Sequence, residues 1–505
     1  MKKTIAFFGS RVFLIVVLIM LQLSLLVFTI FSISQYSPIF YYINVLISLI
    51  MAVYVLNRKD NPAFKITWII VIMIFPFLGG ILYIMFGGKK MPKRLMNEYL
   101  IDEQKRKPLL NQDDHILEEI KGEDINVYHQ FNYIWRNSAY PTYRDAFSHY
   151  YPLGDLAFND ILNDLKSAKK YIFLEYFIVD QGLFFNSMLD ILKKKVEEGV
   201  EVRLMYDGFG CINILPSNYP SILRRYGIKV KVFNPLRPLL TVTMNNRDHR
   251  KILIIDGKVG YSGGVNLADE YINKKKRFGH WKDSVVRLEG NVVDSLLISF
   301  LQMYDTNLAG FEKYKAIHRK QNKQGYINFF ADSPTDDEAT GENVHMNMIN
   351  GANNYLYIST PYLIISNEMS SCLCLAAKKG IDVRIMCPHI PDKWYVHEVT
   401  KKNYYKLLEN GVKIYEYTPG FNHAKELICD DKLAFVGTIN MDYRSYYLHF
   451  ECGAIIYDNP IVLDMKEKYI KFLESCQEVS LKELNDRSFW EKVLANLLNL
   501  VAPFF

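Results

Sequence analysis

The feature that most restricts the fold of this chain is an internal duplication of a spaced set of polar residues. The segment "HRKILIID" occupies residues 249–256 and "HAKELICD" occupies 423–430, so His, Lys and Asp recur at identical spacing. "GGVN" (263–266) follows the first segment and "GTIN" (437–440) follows the second, and both end in Asn at the same distance from His. One such match is expected by chance in on the order of a few per cent of comparable chains. Two matches in the same frame indicate a repeated structural unit.

The surroundings of the two segments are duplicated as well. "EEGVEVRLMYD" from residue 197 corresponds to "KKGIDVRIMCP" from residue 378, and other stretches match in the same order. Each half alternates apolar strand patterns with helical patterns and ends in a strand hairpin, which is typical of an α/β domain. At 505 residues the chain is also too long for one core. We therefore expect two tandem α/β domains, 131–325 and 326–505, related by pseudo-twofold symmetry.

The spacing predicts where the side chains of each segment point. Residues two apart on a strand share a face, so His249 and Lys251 are expected side by side on a strand, as are His423 and Lys425. Asp256 stands at an odd offset from His249 and begins an Asp-Gly pair that favours a tight turn. The same parity applies to Asp430. From spacing alone, we expect both aspartates to have a supporting role.

Facing halves would bring two imidazoles, two ammonium groups and two carboxamides, from Asn266 and Asn440, into one pocket. Such a pocket suits an anion with several oxygens, namely a phosphate ester. One His would attack phosphorus, and the other would protonate the leaving alcohol and deprotonate the incoming one. Each imidazole needs a carboxylate to fix its tautomer. Asp283, which follows His249, and Glu451, which follows His423, are the candidates, whereas Glu175 is expected to be structural.

The N-terminal part of the chain is strongly apolar. Residues 12–57 contain no charged side chain, and a membrane-spanning helix needs about 20 residues. A break at Ser37-Pro38 predicts a transmembrane hairpin within 1–57 with helices near 12–33 and 39–56. A cleaved signal peptide is the alternative, but a second apolar segment follows directly and no small-residue cleavage site is evident.

A third uncharged stretch, within 58–88, is interrupted by Pro76 and Gly79-Gly80. Lys and Arg clusters lie before the first apolar helix, after the second and after the third stretch, and such clusters favour the cytoplasm. Two spans plus a re-entrant or interfacial third segment satisfy this rule. We therefore expect a multi-pass cell-membrane protein with a linker at 89–130 and catalytic domains on the cytoplasmic face.

Net charge and cysteine content limit the kinds of partner and cofactor that we expect. The net charge of +6 is compatible with an anionic lipid surface but does not by itself indicate nucleic acid. Seven scattered cysteines show no metal-ligand spacing, so we expect neither a disulfide framework nor a zinc site, and no cofactor. The segment 487–505 has few charges and predicts an amphipathic helix, which either lies on the bilayer or closes the core.

At the paired His-Lys-Asp segments the chain resembles the phospholipase D superfamily and, more narrowly, the bacterial cardiolipin synthases. The narrower resemblance rests on "RKDNPAFKITWIIVIMIFPFLGGILYIMFG" at 58–87, "TPY" at 360–362, "GTINMDYRS" at 437–445 and the closing "FWEKVLANLLNLVAPFF". It covers almost the whole chain. One departure is His449 in "YLHFE", where the family usually has Asn.

The resemblance implies an activity and a set of site residues. Two phosphatidylglycerol molecules would give cardiolipin and glycerol without a metal, through a phosphatidyl-histidine on His249, with His423 as acid and base. Spacing alone does not decide which His is the nucleophile. The family motif comprises six catalytic positions in this chain: His249, Lys251, Asp256, His423, Lys425 and Asp430. Anionic membrane lipids are the expected partners, and an oligomer is compatible with the sequence.

Other functions remain open at this level. A phospholipase D that passes the phosphatidyl group to water, or another phosphatidyltransferase, would have the same pocket and differ only at the acceptor site. A nuclease of the superfamily would need a basic groove with stacking aromatic residues, whereas the lysines here are dispersed. A non-catalytic lipid-binding scaffold is expected to have lost a catalytic Lys or His, and both copies of each are present.

Overall fold

The fold is taken from a computed structural model of the chain. It describes residues 38–75, 78–87, 106–144, 146–235, 245–305, 308–316, 324–336 and 338–504, together with the single positions 20, 24, 28 and 32. Its strands, in chain order, are β1 (Thr142–Tyr143), β2 (Ala146–Tyr151), β3 (Tyr171–Tyr176), β4 (Glu201–Asp207), β5 (Lys229–Phe233), β6 (Arg247–Asp248), β7 (Ile252–Ile255), β8 (Val259–Gly263), β9 (His280–Lys282), β10 (Val285–Gly290), β11 (Tyr326–Asp332), β12 (Tyr355–Ser359), β13 (Leu363–Ile364), β14 (Asp382–Pro388), β15 (Lys413–Tyr417), β16 (Gly420–Asn422), β17 (Glu426–Cys429), β18 (Leu433–Gly437), β19 (Met441–Asp442), β20 (His449–Tyr457) and β21 (Cys476–Glu478).

The helices cover the sheets and connect the strands. They are α1 (Pro38–Leu56), α2 (Pro62–Ile74), α3 (Leu78–Phe86), α4 (Asp114–Glu123), α5 (Ile125–Ser138), α6 (Gly154–Ser167), α7 (Leu183–Glu197), α8 (Tyr219–Arg225), α9 (Val293–Tyr304), α10 (Phe311–Tyr314), α11 (Thr340–Gly351), α12 (Asn367–Lys378), α13 (Trp394–Glu409), α14 (Tyr443–Tyr447), α15 (Pro460–Leu473), α16 (Leu481–Asn485) and α17 (Phe489–Leu500).

Two sheets share one strand order. The first half forms the sheet β2-β10-β8-β7-β3-β4-β5, in which β3, β4 and β5 are parallel. The second half forms β11-β20-β18-β17-β12-β14-β15, extended by β1 at one edge and β21 at the other, and β12, β14 and β15 are again parallel. Within each half, helices connect the parallel strands and a hairpin, β7-β8 or β17-β18, follows. The predicted pair of tandem α/β domains is confirmed.

The two halves share one large apolar core. Side chains from the inner faces of both sheets, such as Ile252 and Val436, belong to the same buried cluster. Helix α9 lies in this core, and every residue from Val293 to Met303 is buried. A second cluster packs α6, α7 and α8 on the outer face of the first sheet. Because the halves bury apolar surface against each other, their relative position is fixed by packing.

Part of the stretch predicted as a linker is helical. Helices α4 and α5 follow Asp113 and Asp124, whose side chains cap them by accepting backbone N–H bonds. Their apolar faces, including Ile120 and Phe131, belong to the large core. Strand β1 then joins the sheet of the second half. The extended contact of 114–143 with the second half was not predicted from the sequence.

The N-terminal region is described in part. The first predicted spanning helix, 12–33, lies outside the described residues apart from isolated positions, and the second coincides with α1. In the described part of the chain, the structure contains no helix with the length and apolarity needed to cross a membrane. The third apolar stretch is two short helices, α2 and α3, that pack against each other so closely that a Cβ at Gly79 would lie 2.5 Å from the Cα of Ile72.

The helices α2 and α17 meet on the second half. Phe64 of α2 makes edge-on ring contacts with Tyr443 and Tyr447, at centroid distances of 5.8 Å. The Thr67 hydroxyl donates to the carbonyl of Leu500 at 2.8 Å, at the end of α17. The predicted amphipathic helix is present as α17, and it leaves an apolar face exposed that includes Phe489, Trp490 and Leu497.

Candidate active site

Each motif histidine follows a short strand that pairs with the opposite half. Strand β6 runs parallel to the start of β20, with Arg247 opposite His449 and Asp248 opposite Phe450. Strand β16 runs parallel to β9 in the same way, with Asn422 opposite Lys282. The backbone N–H of His249 donates to Phe450 O at 2.9 Å, and that of His423 donates to Lys282 O at 2.7 Å. The next residue in each register is a carboxylate, Glu451 or Asp283.

This register pairs each imidazole with a carboxylate from the other half. His249 Nδ1 lies 2.9 Å from Glu451 Oε1 and 3.0 Å from Oε2. His423 Nδ1 lies 2.6 Å from Asp283 Oδ2. Both carboxylates are fully buried. The two predicted carboxylates therefore lie at the imidazoles. Each of them binds the histidine of the opposite half, not the histidine that it follows in the sequence.

The motif residues do not lie within strands, contrary to the expectation from spacing. His249, Arg250 and Lys251 form the extended connection between β6 and β7, and the corresponding three residues connect β16 and β17. The reason is that the chain leaves one half to pair with the other at this point. Glu175 and Arg250 form a fully buried ion pair, 2.6 Å apart, that holds the first connection from behind. The structural role expected for Glu175 agrees with this contact.

Both motif lysines are buried next to the imidazoles. Lys251 Nζ donates to the carbonyl of His249, and Lys425 Nζ lies 2.9 Å from His423 Nδ1 and contacts the His423 carbonyl. Burial lowers the pKa of Lys251 to about 8, against the opposing effect of Glu451 and Asp283. Burial likewise lowers the pKa of Lys425 to about 7. A bound anion would restore the charge of both ammonium groups.

The two motif sets form one electrostatic unit. Burial, followed by the charges of Lys251 and Lys425, lowers the pKa of His249 well below its usual value. The pKa of His423 is lowered by burial and by the same two lysines. Burial raises the pKa of Asp283 to about 6, which Lys425 opposes. Burial is the largest cause for both histidines and the lysine of the opposite half adds to it, so the ligand-free site favours the neutral form of both imidazoles.

Asp256 and Asp430 lie at turns, away from the imidazoles. Asp256 accepts backbone N–H bonds from residues 169–171 at 2.7–2.9 Å. Asp430 accepts the equivalent bonds from residues 353–355 at 2.7–3.0 Å. Both have positive φ, 54° and 53°, in the hairpin turns. The structure brings four of the six motif residues together, whereas these two aspartates lie in the hairpin turns and bind backbone N–H groups.

The two asparagines differ in their contacts. The Asn266 side chain accepts from the N–H of Ile178 at 3.0 Å and donates to the Tyr271 hydroxyl at 2.7 Å, so both ends of its amide are bound to protein. Asn440 is buried, and its side-chain oxygen has no hydrogen-bond partner among the described residues. The Asn440 side chain is also hydrogen-bonded to Asp442, so of its amide atoms the oxygen is the one without a partner among the described residues.

One supporting contact was missed by the sequence reasoning. The Thr438 hydroxyl donates to Glu451 Oε2 and so helps to hold this carboxylate at the imidazole. The corresponding position in the first half is Gly264, where a Cβ would lie 1.9 Å from Asp283 Oδ1. Both residues stand fifteen positions after the motif histidine. The repeat aligns the two positions, but Gly and Thr side chains give no sequence signal of a contact with a carboxylate.

Aromatic and imidazole rings flank the motif histidines. The His249 ring lies 5.1 Å from Phe177 and 5.5 Å from His449. The His423 ring lies 5.5 Å from both Trp281 and Tyr271. His249, His449 and Glu451 also form the group whose spacing could hold a metal ion among the described residues. The rings beside the two motif histidines therefore differ between the halves, although the His and Lys residues of the motif are the same in both.

Comparison with known proteins agrees with this geometry. The family model described as "Cardiolipin synthase, PLD-like domain" matches residues 161–277 and 346–473, which contain both motif segments. A cardiolipin synthase from Alkalihalophilus pseudofirmus is 33% identical over 88% of this chain and 90% of its own length. The chain belongs to the phospholipase-D-like cardiolipin synthase family. Cardiolipin synthase 2 from Staphylococcus epidermidis, another member, is 31% identical over 91% of this chain and 96% of its own length.

Further matches concern the N-terminal region, the full length of the chain and the fold. The model described as "Phospholipase_D-nuclease N-terminal" covers residues 46–88, from within α1 to just beyond α3. An uncharacterized Streptococcus mutans protein is 41% identical over 89% of this chain and 98% of its own length. The crystal structure of a Haemophilus influenzae phosphatidylserine synthase aligns with a TM-score of 0.58 at 14% identity, covering 74% of this chain and all of that one. This last likeness shows the fold alone.

Proposed function

We propose that the protein is a cardiolipin synthase, which transfers a phosphatidyl group from one phosphatidylglycerol to another and releases glycerol. The observation that carries the proposal is the crosswise pairing of His249 with Glu451 and His423 with Asp283. This pairing favours the same tautomer in both imidazoles, and the charges of Lys251 and Lys425 act on both rings, which supports a shared site. Membership of the cardiolipin synthase family supplies the substrate class.

The carboxylates decide which imidazole nitrogen reacts. Nδ1 of each histidine is bound to a carboxylate, so the proton of the neutral ring stays on Nδ1 and the lone pair is on Nε2. Nε2 is the better nucleophile and base when Nδ1–H is held by an anion. The two Nε2 atoms are therefore the groups assigned to the phosphorus chemistry.

In the first step, His249 Nε2 attacks the phosphorus of phosphatidylglycerol and the bond from phosphorus to the glycerol oxygen breaks. His423, protonated because the bound phosphodiester anion favours its charged form, gives its proton to that oxygen. Glycerol leaves, and the phosphatidyl group stays on His249. The choice of His249 as the nucleophile follows the family resemblance, because the carboxylate contacts are equivalent on both sides.

In the second step, the terminal hydroxyl of another phosphatidylglycerol gives its proton to His423 Nε2 and attacks phosphorus. The nitrogen–phosphorus bond breaks, cardiolipin forms, and His249 is again neutral. Lys251 and Lys425 stabilise the charge that builds on the phosphoryl oxygens in both steps. Asn440, which is hydrogen-bonded to Asp442, and Asn266, which is bound to Tyr271, are both assigned supporting roles.

We further propose that 1–57 contains a transmembrane hairpin, that 58–88 is re-entrant or interfacial, and that the catalytic domains face the cytoplasm. Exposed apolar side chains on α1, including Ile39, Leu46 and Ile50, support contact with lipid. The packing of Phe64 on Tyr443 and Tyr447 would hold the second half close to that lipid. This arrangement brings the pocket to its membrane substrate.

Product analysis tests the proposed function. Purified protein in vesicles receives phosphatidylglycerol labelled in its terminal glycerol and acyl chains. Labelled cardiolipin and free glycerol in equal amounts are expected. Phosphatidic acid as the main product would instead identify a hydrolase, and no turnover would indicate a lipid-binding protein.

A further inference from the structure

His449 is a buried imidazole that the proposed transfer mechanism does not use. It is 8% exposed, and both of its ring nitrogens lack a hydrogen-bond partner among the described residues. Leaving two polar atoms of one ring unpaired in a protein interior is costly, so such a ring is expected to have a ligand. Its neighbours are His249, with ring centroids 5.5 Å apart, and Glu451, whose Oε1 lies 3.6 Å from His449 Nδ1.

The three side chains offer the donors of a transition-metal site. One ligand atom from each of His249, His449 and Glu451 lies within 4.8 Å of the other two. Two imidazoles and one carboxylate are a common protein ligand set for Zn²⁺, and ligands of a tetrahedral Zn²⁺ lie roughly 3.3 Å apart. The distances from Glu451 Oε1 to His249 Nδ1 and His449 Nδ1, 2.9 and 3.6 Å, lie on either side of that value.

The surrounding charges and contacts permit a cation at this place. The charges of Lys251 and Lys425 are matched by those of Glu451 and Asp283, so the four groups have no net formal charge. The Thr438 hydroxyl holds Glu451 Oε2 and orients Oε1 toward the imidazoles, as outer contacts of metal ligands commonly do.

Beside His423, the described residues form no equivalent site. The residue that corresponds to His449 next to His423 is Trp281, whose ring is also 5.5 Å from the histidine. Indole offers no lone pair to a metal. One site per chain is therefore expected, on the side of His249.

We propose that His249, His449 and Glu451 bind a divalent transition metal of the Zn²⁺ class, and that this metal inhibits the enzyme. The metal takes the lone pair of His249 Nδ1 in place of the proton shared with Glu451, and that proton moves to Nε2. The ring stays neutral, but Nε2 then has no lone pair for phosphorus. The inhibition rests on the proposed function, whereas the metal site does not.

Metal binding can be measured without any substrate. Full-length protein is loaded with Co²⁺, freed of excess metal and compared with a His449→Asn variant, whose replacement is the residue usual in the family. We expect about one Co²⁺ per chain with the visible absorption of a tetrahedral complex, displaced by Zn²⁺. His449→Asn is expected to weaken binding by at least about tenfold. His389→Asn, which removes an imidazole paired with Glu416 outside the site, is the matched control and should bind normally.

The outcomes separate the two proposals. The metal site would be overturned if the unaltered protein showed no Co²⁺ absorption. It would also be overturned if His389→Asn lost the absorption and His449→Asn kept it. Neither result depends on the activity of the enzyme. If Co²⁺ binds as expected, the ratio of transfer rates with and without Zn²⁺ is measured in each variant. Inhibition that depends on His449 supports the blocking role, and equal rates with and without Zn²⁺ would refute it. Metal binding without any lipid turnover would instead reject the proposed function.

Discussion

At the scale of single residues, the account depends on two carboxylates that act through histidine. Glu451 and Asp283 are fully buried, and each binds Nδ1 of the histidine from the opposite half. Neither contacts the place assigned to phosphorus, so both are positioning residues. Their effect on the reaction comes from the tautomer and orientation that they impose on the imidazole.

Changing Glu451→Gln or Asp283→Asn should lower kcat by on the order of 10³–10⁴-fold, since an amide can stabilise the wrong tautomer of the ring. Steady-state rates of cardiolipin formation measure this effect, and circular dichroism checks folding. Glu416→Gln is the control, because Glu416 also binds a histidine, His389, but outside the pocket. A loss in Glu416→Gln as large as in Glu451→Gln would argue against a specific role for the crosswise pairs.

The pKa values of the pocket predict how activity depends on pH. Asp283, with its pKa raised to about 6 by burial, becomes neutral below that pH and ceases to hold His423 in its productive form. Lys425 and Lys251, with pKa values lowered by burial to about 7 and about 8, lose their charge as the pH rises. We expect kcat/KM, which reports the free enzyme, to be greatest near neutral pH and to fall on both sides. A value that still rises between pH 8 and 10 would contradict this assignment.

At the scale of secondary-structure elements, the two motif aspartates tie the hairpin that follows each motif histidine to a central strand of its sheet. Each sits at the left-handed position of a hairpin turn and binds three successive backbone N–H groups at the start of a neighbouring strand, β3 or β12. This links the hairpin that follows each histidine to the centre of its sheet. Asp256 is buried, whereas the contacts of Asp430 with Asn353 and Asn354 are exposed to solvent.

Asp256→Ala should therefore destabilise the protein by at least about 2 kcal/mol, because three backbone donors lose a charged acceptor. Asp430→Ala should cost less, since water can replace part of the lost bonds. Urea unfolding in detergent measures both changes, and kcat per folded molecule should be preserved. Asp256→Asn, which tolerates positive φ and keeps one acceptor, should be intermediate. A stable but inactive Asp256→Ala variant would instead place this residue in the chemistry.

The elements also show how far the sequence could be interpreted. The alternation of strands and helices and the closing hairpin of each half were predicted from the sequence, because β3, β4, β12 and β14 are long enough to show an apolar pattern. The order of the strands within each sheet was not predicted. The crosswise pairing could not be predicted, because it depends on β6, β9 and β16, which have two or three residues each. The two carboxylates were identified from the sequence by residue type, but the histidine that each one binds was not. Spacing in the chain contains no information on which half a short strand joins.

At the scale of the whole molecule, the apolar N-terminal region and the end of the chain meet on the catalytic domains. Trp68 of α2 contacts Phe504 with ring centroids 5.3 Å apart, and Arg444 donates to the Phe504 carbonyl at 2.6 Å. Asn61 also donates to the Tyr447 hydroxyl at 2.9 Å. These contacts connect the proposed membrane segment to a helix that lies between the motif Asn440 and Glu451.

The proposed topology predicts labelling at residue 100. In a background with the seven native cysteines replaced, Leu100→Cys should react with an impermeant thiol reagent only after the cells are opened, because residues after the third apolar segment are assigned to the cytoplasm. A cysteine in the 34–37 turn of the proposed hairpin serves as the external control. Reaction of Leu100→Cys in intact cells would place the catalytic domains outside.

The most direct test of the account is the mapping of the covalent intermediate. Phosphatidylglycerol labelled in its phosphatidyl group is mixed with the enzyme, the reaction is stopped within a turnover, and the labelled peptide is sequenced. The account predicts one phosphoramidate per chain, on His249. It should accumulate in a His423→Ala variant that is given an activated donor, and it should be absent in His249→Ala. Simultaneous labelling of both histidines in one chain, or turnover with no labelled histidine, would contradict the claim that two imidazoles act on a single phosphorus.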